Sequence, residues 1–72
     1  MHENEVLRKL EELLELKDGS LTLETTLNEL EEWDSMAVIL FIAFADSEFG
    51  KSVKGLQIQK CSSVQDLIVL IL

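Results

Sequence analysis

Asp34 and Ser35 stand in the run Trp33-Asp34-Ser35-Met36, directly ahead of a long apolar segment. If that segment is a helix, its opening turn leaves backbone N–H groups unpaired and carries the positive end of the helix dipole, so a phosphodiester on Ser35 would be stabilised there. An arbitrary Asp-Ser pair is more often only a helix cap, so the dipeptide alone is weak evidence. Other chemistries lack residues. The one histidine, His2, lies at the chain start, and the one cysteine, Cys61, has no histidine near it in sequence to activate it, so no nucleophile–base pair assembles. Cys61 reads as a small, partly buried hydrophobe. Zinc needs several Cys or His at close spacing and calcium loops need alternating oxygen ligands around a glycine; neither pattern occurs, and Asp18-Gly19-Ser20 reads as a turn.

The elements that must position Ser35 follow from periodicity. Val6, Leu7, Leu10, Leu13 and Leu14 recur at three-and-four spacing, which predicts a helix over 4–16 with Arg8, Glu11, Glu12 and Glu15 off its apolar face. Lys17-Asp18-Gly19 is expected to stop it. Residues 17–34 hold no sustained period and read as a long loop whose leucines 21, 23, 27 and 30 cover the core, with a helical turn near Leu27 to Leu30. The segment 35–49 has the length and the alanines of a helix, with Asp34 as N-cap and Gly50 as terminus. A connector over 50–62 is expected to turn Val53, Leu56 and Ile58 inward and to hold a short helix at 55–60. Ser63-Val64-Gln65-Asp66 resembles a capping box and opens a last helix over 63–71. Three main helices, a short helical turn and no alternating strand pattern predict an all-α bundle filling 1–72 as one domain.

At 72 residues the chain has room for one small core, and its 47% hydrophobic content is enough to fill it. One cysteine permits no internal disulfide, which suits a reducing cytoplasm. The start lacks a signal peptide, and no stretch approaches the roughly 20 apolar residues that span a bilayer. A net charge of −8 repels nucleic acid and anionic membrane alike and favours basic partner proteins. The charge is concentrated: no Lys or Arg lies between Lys17 and Lys51, while Asp18, Glu24, Glu29, Glu31, Glu32, Asp34, Asp46 and Glu48 do.

Trp33-Asp34-Ser35-Met36, an apolar helix ending Asp46-Ser47-Glu48-Phe49-Gly50, then Val53, then Ser63-Val64-Gln65-Asp66-Leu67, is similar to the acyl carrier protein family over nearly the whole chain. The family's signature is Asp-Ser-Leu, whose serine carries 4'-phosphopantetheine; Asp34, Ser35 and Met36 stand at those positions, with Met a tolerable replacement for Leu. The resemblance implies a small helical bundle with a long loop between helices one and two. It implies a non-catalytic carrier that holds acyl or aminoacyl groups as thioesters on an arm at Ser35. It further implies a phosphopantetheinyl transferase and acyl- or aminoacyl-loading and processing enzymes as partners, in fatty-acid-like or specialised metabolism. Phe49 matches the aromatic that closes the second helix, and Val53 an apolar residue near the arm and its cargo. Acidic residues of the second helix meet basic partner surfaces in that family, and Asp34, Asp46 and Glu48 are the positions carried over.

The chain departs from the fatty-acid type early in the second helix, where Ala37 and Leu40 stand in place of acids. Ala37, Leu40 and Phe44 share one stripe, while Met36, Ile39, Ile42 and Phe49 run nearer the expected core side, so the helix is apolar on two faces. Either the long loop covers the second face or a partner docks on it by apolar contact, which adds Met36, Ala37, Leu40, Phe44 and Val53 to the partner-binding candidates. Trp33 is expected to pack across the loop–helix junction. The competing class is an unmodified helical interaction module that binds a partner helix through Leu40 and Phe44. A start at Met1 without linkers points to a freestanding protein, for which a monomer is the default expectation.

Overall fold

Val6 and Leu10 of the first helix, α1 (Glu3–Leu13), and Leu14 just past its end are spaced by four and buried together. The computed structural model describes residues 3–72, so His2 lies outside the described residues. α1 ends at Leu13, short of the expected residue 16. The amide of Leu16 donates to the Glu11 carbonyl at 2.7 Å and that of Glu15 to the Glu12 carbonyl at 3.2 Å, the paired closure that ends a helix with one left-handed residue. Glu15, at φ 59°, takes that position instead of a glycine. Leu16 is thereby turned onto the core, and Gly19, at φ 84°, serves a separate turn beyond.

Glu11 was expected off the apolar face, yet only 2% of it is exposed. Its Oε2 accepts the backbone N–H of Leu21 at 2.8 Å, which satisfies the carboxylate and ties the following loop to α1. Leu21 and Leu27 of that loop are buried, and Leu23 and Leu30 pack half-buried against the same core, as the cost of exposing four leucines requires. A single 3-10 turn, Leu27–Glu29, interrupts the loop. The middle of the loop is strapped to the opening of the last helix: Leu27 N–H donates to Ser62 O at 2.9 Å, Val64 N–H to Thr25 O at 3.0 Å and Gln65 N–H to Leu23 O at 3.0 Å.

The second helix, α2 (Ser35–Phe49), begins after Asp34 and is closed by Gly50 in the left-handed region at φ 63°. A short α3 (Gly55–Gln59) follows, with Val53 and Ile58 buried. Leu56, expected inward, is 72% exposed, because a helix this short buries only one residue per turn and Ile58 takes that place. The last helix, α4 (Val64–Ile71), buries Val64, Leu67, Ile68 and Ile71. At its start Asp66 N–H donates to Ser63 Oγ while Asp66 Oδ2 accepts from Ser63 N–H, the reciprocal bonds of a capping box. The fold is all-α: four helices and no strand among the described residues, none long and apolar enough to cross a membrane.

Two outcomes follow for stability. Glu11→Ala leaves the buried Leu21 N–H without an acceptor and should cost about 1–3 kcal/mol, whereas Glu11→Gln keeps an oxygen there and should lose less; urea denaturation distinguishes them, and an unchanged Glu11→Ala midpoint would refute the tie. The Asp66 carboxyl is held below the ordinary aspartate value, first by the backbone N–H of Ser62 and then by that of Ser63. A carboxyl depressed in the folded state adds stability that is complete above its unfolded pKa and lost as pH falls through the folded one. Between about pH 5 and about pH 2, wild type should therefore lose more stability than Asp66→Ala does.

Candidate functional site

α2 is apolar along most of its length, so its rotation is set by shape. Ala37, Phe41 and Ala45, spaced by four, are the buried stripe. Phe41 is wholly enclosed and meets Trp33 edge-on with ring centroids 6.1 Å apart. Phe44 lies 6.4 Å from Phe41, and Phe49 lies 5.6 Å from Phe44, so all four aromatic residues of the chain form one continuous file along the core side of α2. Trp33 thus packs across the loop–helix junction, and both ends of α2 are locked against rotation.

This rotation corrects several expectations. Ala37, proposed as a docking residue, is 3% exposed and belongs to the core. Phe44 is half-buried in the aromatic file, so the Leu40–Phe44 stripe is not a surface feature. Met36 and Ile39, read as core-facing, are 62% and 60% exposed, while Ile42 and Phe49 are half-buried. Val53 is buried, with one edge lining a groove. The outward ridge of α2 consists of Ser35, Met36, Ile39, Leu40 and Ala43. Asp34, Asp46 and Glu48 are all exposed, one at the start of α2 and two in its last turn, with no acid between.

Ser35 is the first residue of α2 and is exposed. The cap is Asp34: its backbone is extended and its Oδ1 accepts Ala37 N–H at 2.9 Å, while its carbonyl accepts Val38 N–H at 3.1 Å. The amides of Ser35 and Met36 take no partner among the described residues, and neither does the Ser35 hydroxyl. An exposed, unengaged hydroxyl beside two open amides at the positive end of a 15-residue helix fits a phosphodiester-linked group. Cys61 offers no competing nucleophile: burial and then the Asp66 carboxylate raise its pKa, and its thiol donates to the Gln57 carbonyl at 3.4 Å.

Two hollows flank the ridge. On the α1 side, an open hollow of about 330 Å³ is lined by Leu13, Met36 and Leu40 together with Glu15, Glu32 and Asp34. On the connector side, about 510 Å³ lies over Ile39, Ile42, Ala43 and Val53, with Lys51 and Lys54 alongside. Sequence reasoning missed Leu13 and Glu15, which lie at and just past the end of α1 and far from Asp34 in sequence, and Glu32, which the tight backbone of the loop's last residues holds beside Asp34.

A family model described as phosphopantetheine attachment site matches residues 4–71. No curated protein and no solved structure matches the chain.

The division of labour between the two neighbours is testable by stability. Asp34→Ala should cost about 1 kcal/mol by leaving Ala37 N–H uncapped, while Ser35→Ala should stay within about 0.5 kcal/mol of wild type. Equal losses in urea denaturation would make Ser35 part of the cap and contradict the geometry.

Proposed function

The chain belongs to the phosphopantetheine attachment site family, and from that membership we propose that Ser35 carries the 4'-phosphopantetheine arm. When bound, the arm supplies a terminal thiol on which an acyl or aminoacyl group is held as a thioester. The observation that carries the assignment is the exposed Ser35 hydroxyl at the opening turn of α2, left unengaged because Asp34 does the capping. The open amides of Ser35 and Met36 and the helix dipole favour the negative phosphodiester at that oxygen. Ser35 is an anchor and performs no step of turnover. Its place on the outward ridge of α2 leaves whatever it holds accessible to separate enzymes.

The protein on this reading is a non-catalytic carrier that works as a monomer in the reducing cytoplasm, serving fatty-acid-like or specialised metabolism. Its partners are the phosphopantetheinyl transferase and the enzymes that load and process the cargo. A charge of −8 disfavours self-association and supports brief, salt-sensitive encounters with basic enzymes. An unmodified interaction module built on Leu40 and Phe44 is less well supported, since Phe44 packs between Phe41 and Phe49.

Incubation with a phosphopantetheinyl transferase and coenzyme A should add the mass of one phosphopantetheine to wild type and none to Ser35→Ala. A wild type that gains nothing, or a Ser35→Ala variant that gains the same mass, would refute the assignment.

A further inference from the structure

The buried carboxylate of Glu11 has one oxygen that the fold does not use. Oε2 accepts the Leu21 N–H at 2.8 Å, and Oε1 takes no hydrogen bond among the described residues. No fully enclosed side-chain oxygen or nitrogen among those residues lacks a partner, so the 2% of Glu11 that solvent reaches includes Oε1. The opening is a hollow of about 210 Å³ between α1 and the start of the loop, where Glu11 is joined by Asn4, Leu7, Arg8, Asp18 and Leu21. It shares no residue with the two hollows beside α2.

We propose that this hollow binds a small primary ammonium ion with a short apolar stem, which donates an N–H to Glu11 Oε1. A carboxylate withdrawn from water is costly until both its charge and its lone pairs are met. The Leu21 amide meets one lone pair and carries no charge, so a cationic N–H donor supplies what is missing. The balance of the hollow agrees: two carboxylates, Glu11 and Asp18, stand against one guanidinium, Arg8, so one monovalent cation neutralises it and an anion does not. Its volume equals that of about seven liquid waters, room for a stem of a few carbons beside Leu7 and Leu21. A divalent metal ion fits less well, because it wants more oxygen ligands than two carboxylates and the Asn4 amide supply and meets the charge of Arg8. The site is independent of Ser35 and of anything attached there.

The test is a titration of the full chain with n-butylammonium chloride at constant ionic strength, read from the NMR shift of the Leu21 amide and from the urea midpoint. Wild type should show a saturable shift with Kd on the order of 1–10 mM and a midpoint that rises with ligand. Glu11→Gln keeps an oxygen for Leu21 but loses the charge, and should bind about tenfold more weakly or worse. Asp18→Asn should weaken binding about two- to fivefold and Arg8→Gln should tighten it by a similar factor. n-Butanol, which lacks the charge, and tetramethylammonium, which lacks the N–H, should not saturate the shift, while Ser35→Ala should bind as wild type does. No saturable shift on wild type, the same shift from magnesium chloride, or undiminished affinity in Glu11→Gln would overturn the proposal. Weaker binding in Arg8→Gln would overturn it too, by making an anionic group the ligand's anchor, and the opposite signs expected for Arg8→Gln and Asp18→Asn decide the matter even if Glu11→Gln does not fold. None of these results bears on whether Ser35 gains phosphopantetheine, and a failure of that gain leaves the ammonium site standing.

Discussion

Everything at the candidate site depends on the burial of Phe41. α2 has no polar face in its first ten residues, so hydrophobicity alone does not decide which side turns inward. Shape decides. Ala37 and Ala45, one turn before and one turn after, leave space for a large ring between them, and Trp33 closes on that ring from the loop. Burying such a ring is worth about 1.5–3 kcal/mol over leaving it in water, and edge-to-face contacts add to it. A rotation that withdrew Phe41 would lose both terms and would carry Ser35 away from the outward ridge. The accessibility of one hydroxyl is therefore a consequence of where an aromatic ring six residues later is packed.

The bounds of α2 and the start of α4 were legible in the sequence, because they are written in short-range chemistry. Asp34 and Gly50 bound α2, and Ser63 with Asp66 opens α4, each through contacts only a few residues apart. The rotation of α2 was not legible, since Met36, Ala37, Ile39, Leu40 and Phe44 are all apolar and no pattern of polarity orders them. Glu11 escaped for a different reason. Its partner is a backbone amide ten residues on, and periodicity treats a charged side chain beside an apolar stripe as solvated. The end of α1 escaped because Glu15 occupies a backbone region where glycine is the usual signal.

The long loop is held by main-chain groups rather than by its own side-chain pattern. Glu11 grips it at Leu21, and the carbonyls and amides of Leu23, Thr25 and Leu27 pair with residues at the start of α4. Its leucines face the core, so its acids are left outward. Near α2 the chain tightens, with Trp33 N–H on Leu30 O at 3.2 Å and Asp34 N–H on Glu32 O at 3.1 Å. Those bonds fix Glu32 beside Asp34, which is how an irregular stretch comes to furnish the acidic rim next to Ser35.

A residue proposed to carry a bulky charged group must not be needed by the fold, since the chain would have to be stable before and after attachment. Asp34 and Ser35 meet that condition by separating two tasks often combined in one residue. Asp34 takes the cap, bonding Ala37 N–H with its side chain and Val38 N–H with its carbonyl. Ser35 is left with no hydrogen bond of its own side chain among the described residues. A phosphodiester placed there meets the repulsion of the nearby Asp34 carboxylate, but also two open amides and the positive helix end, and exposure screens the repulsion more than it weakens direct hydrogen bonds. Exchanging the two residues would put the hydroxyl proposed for attachment into the cap, where esterification would weaken and crowd its oxygen as acceptor for the first turn of α2.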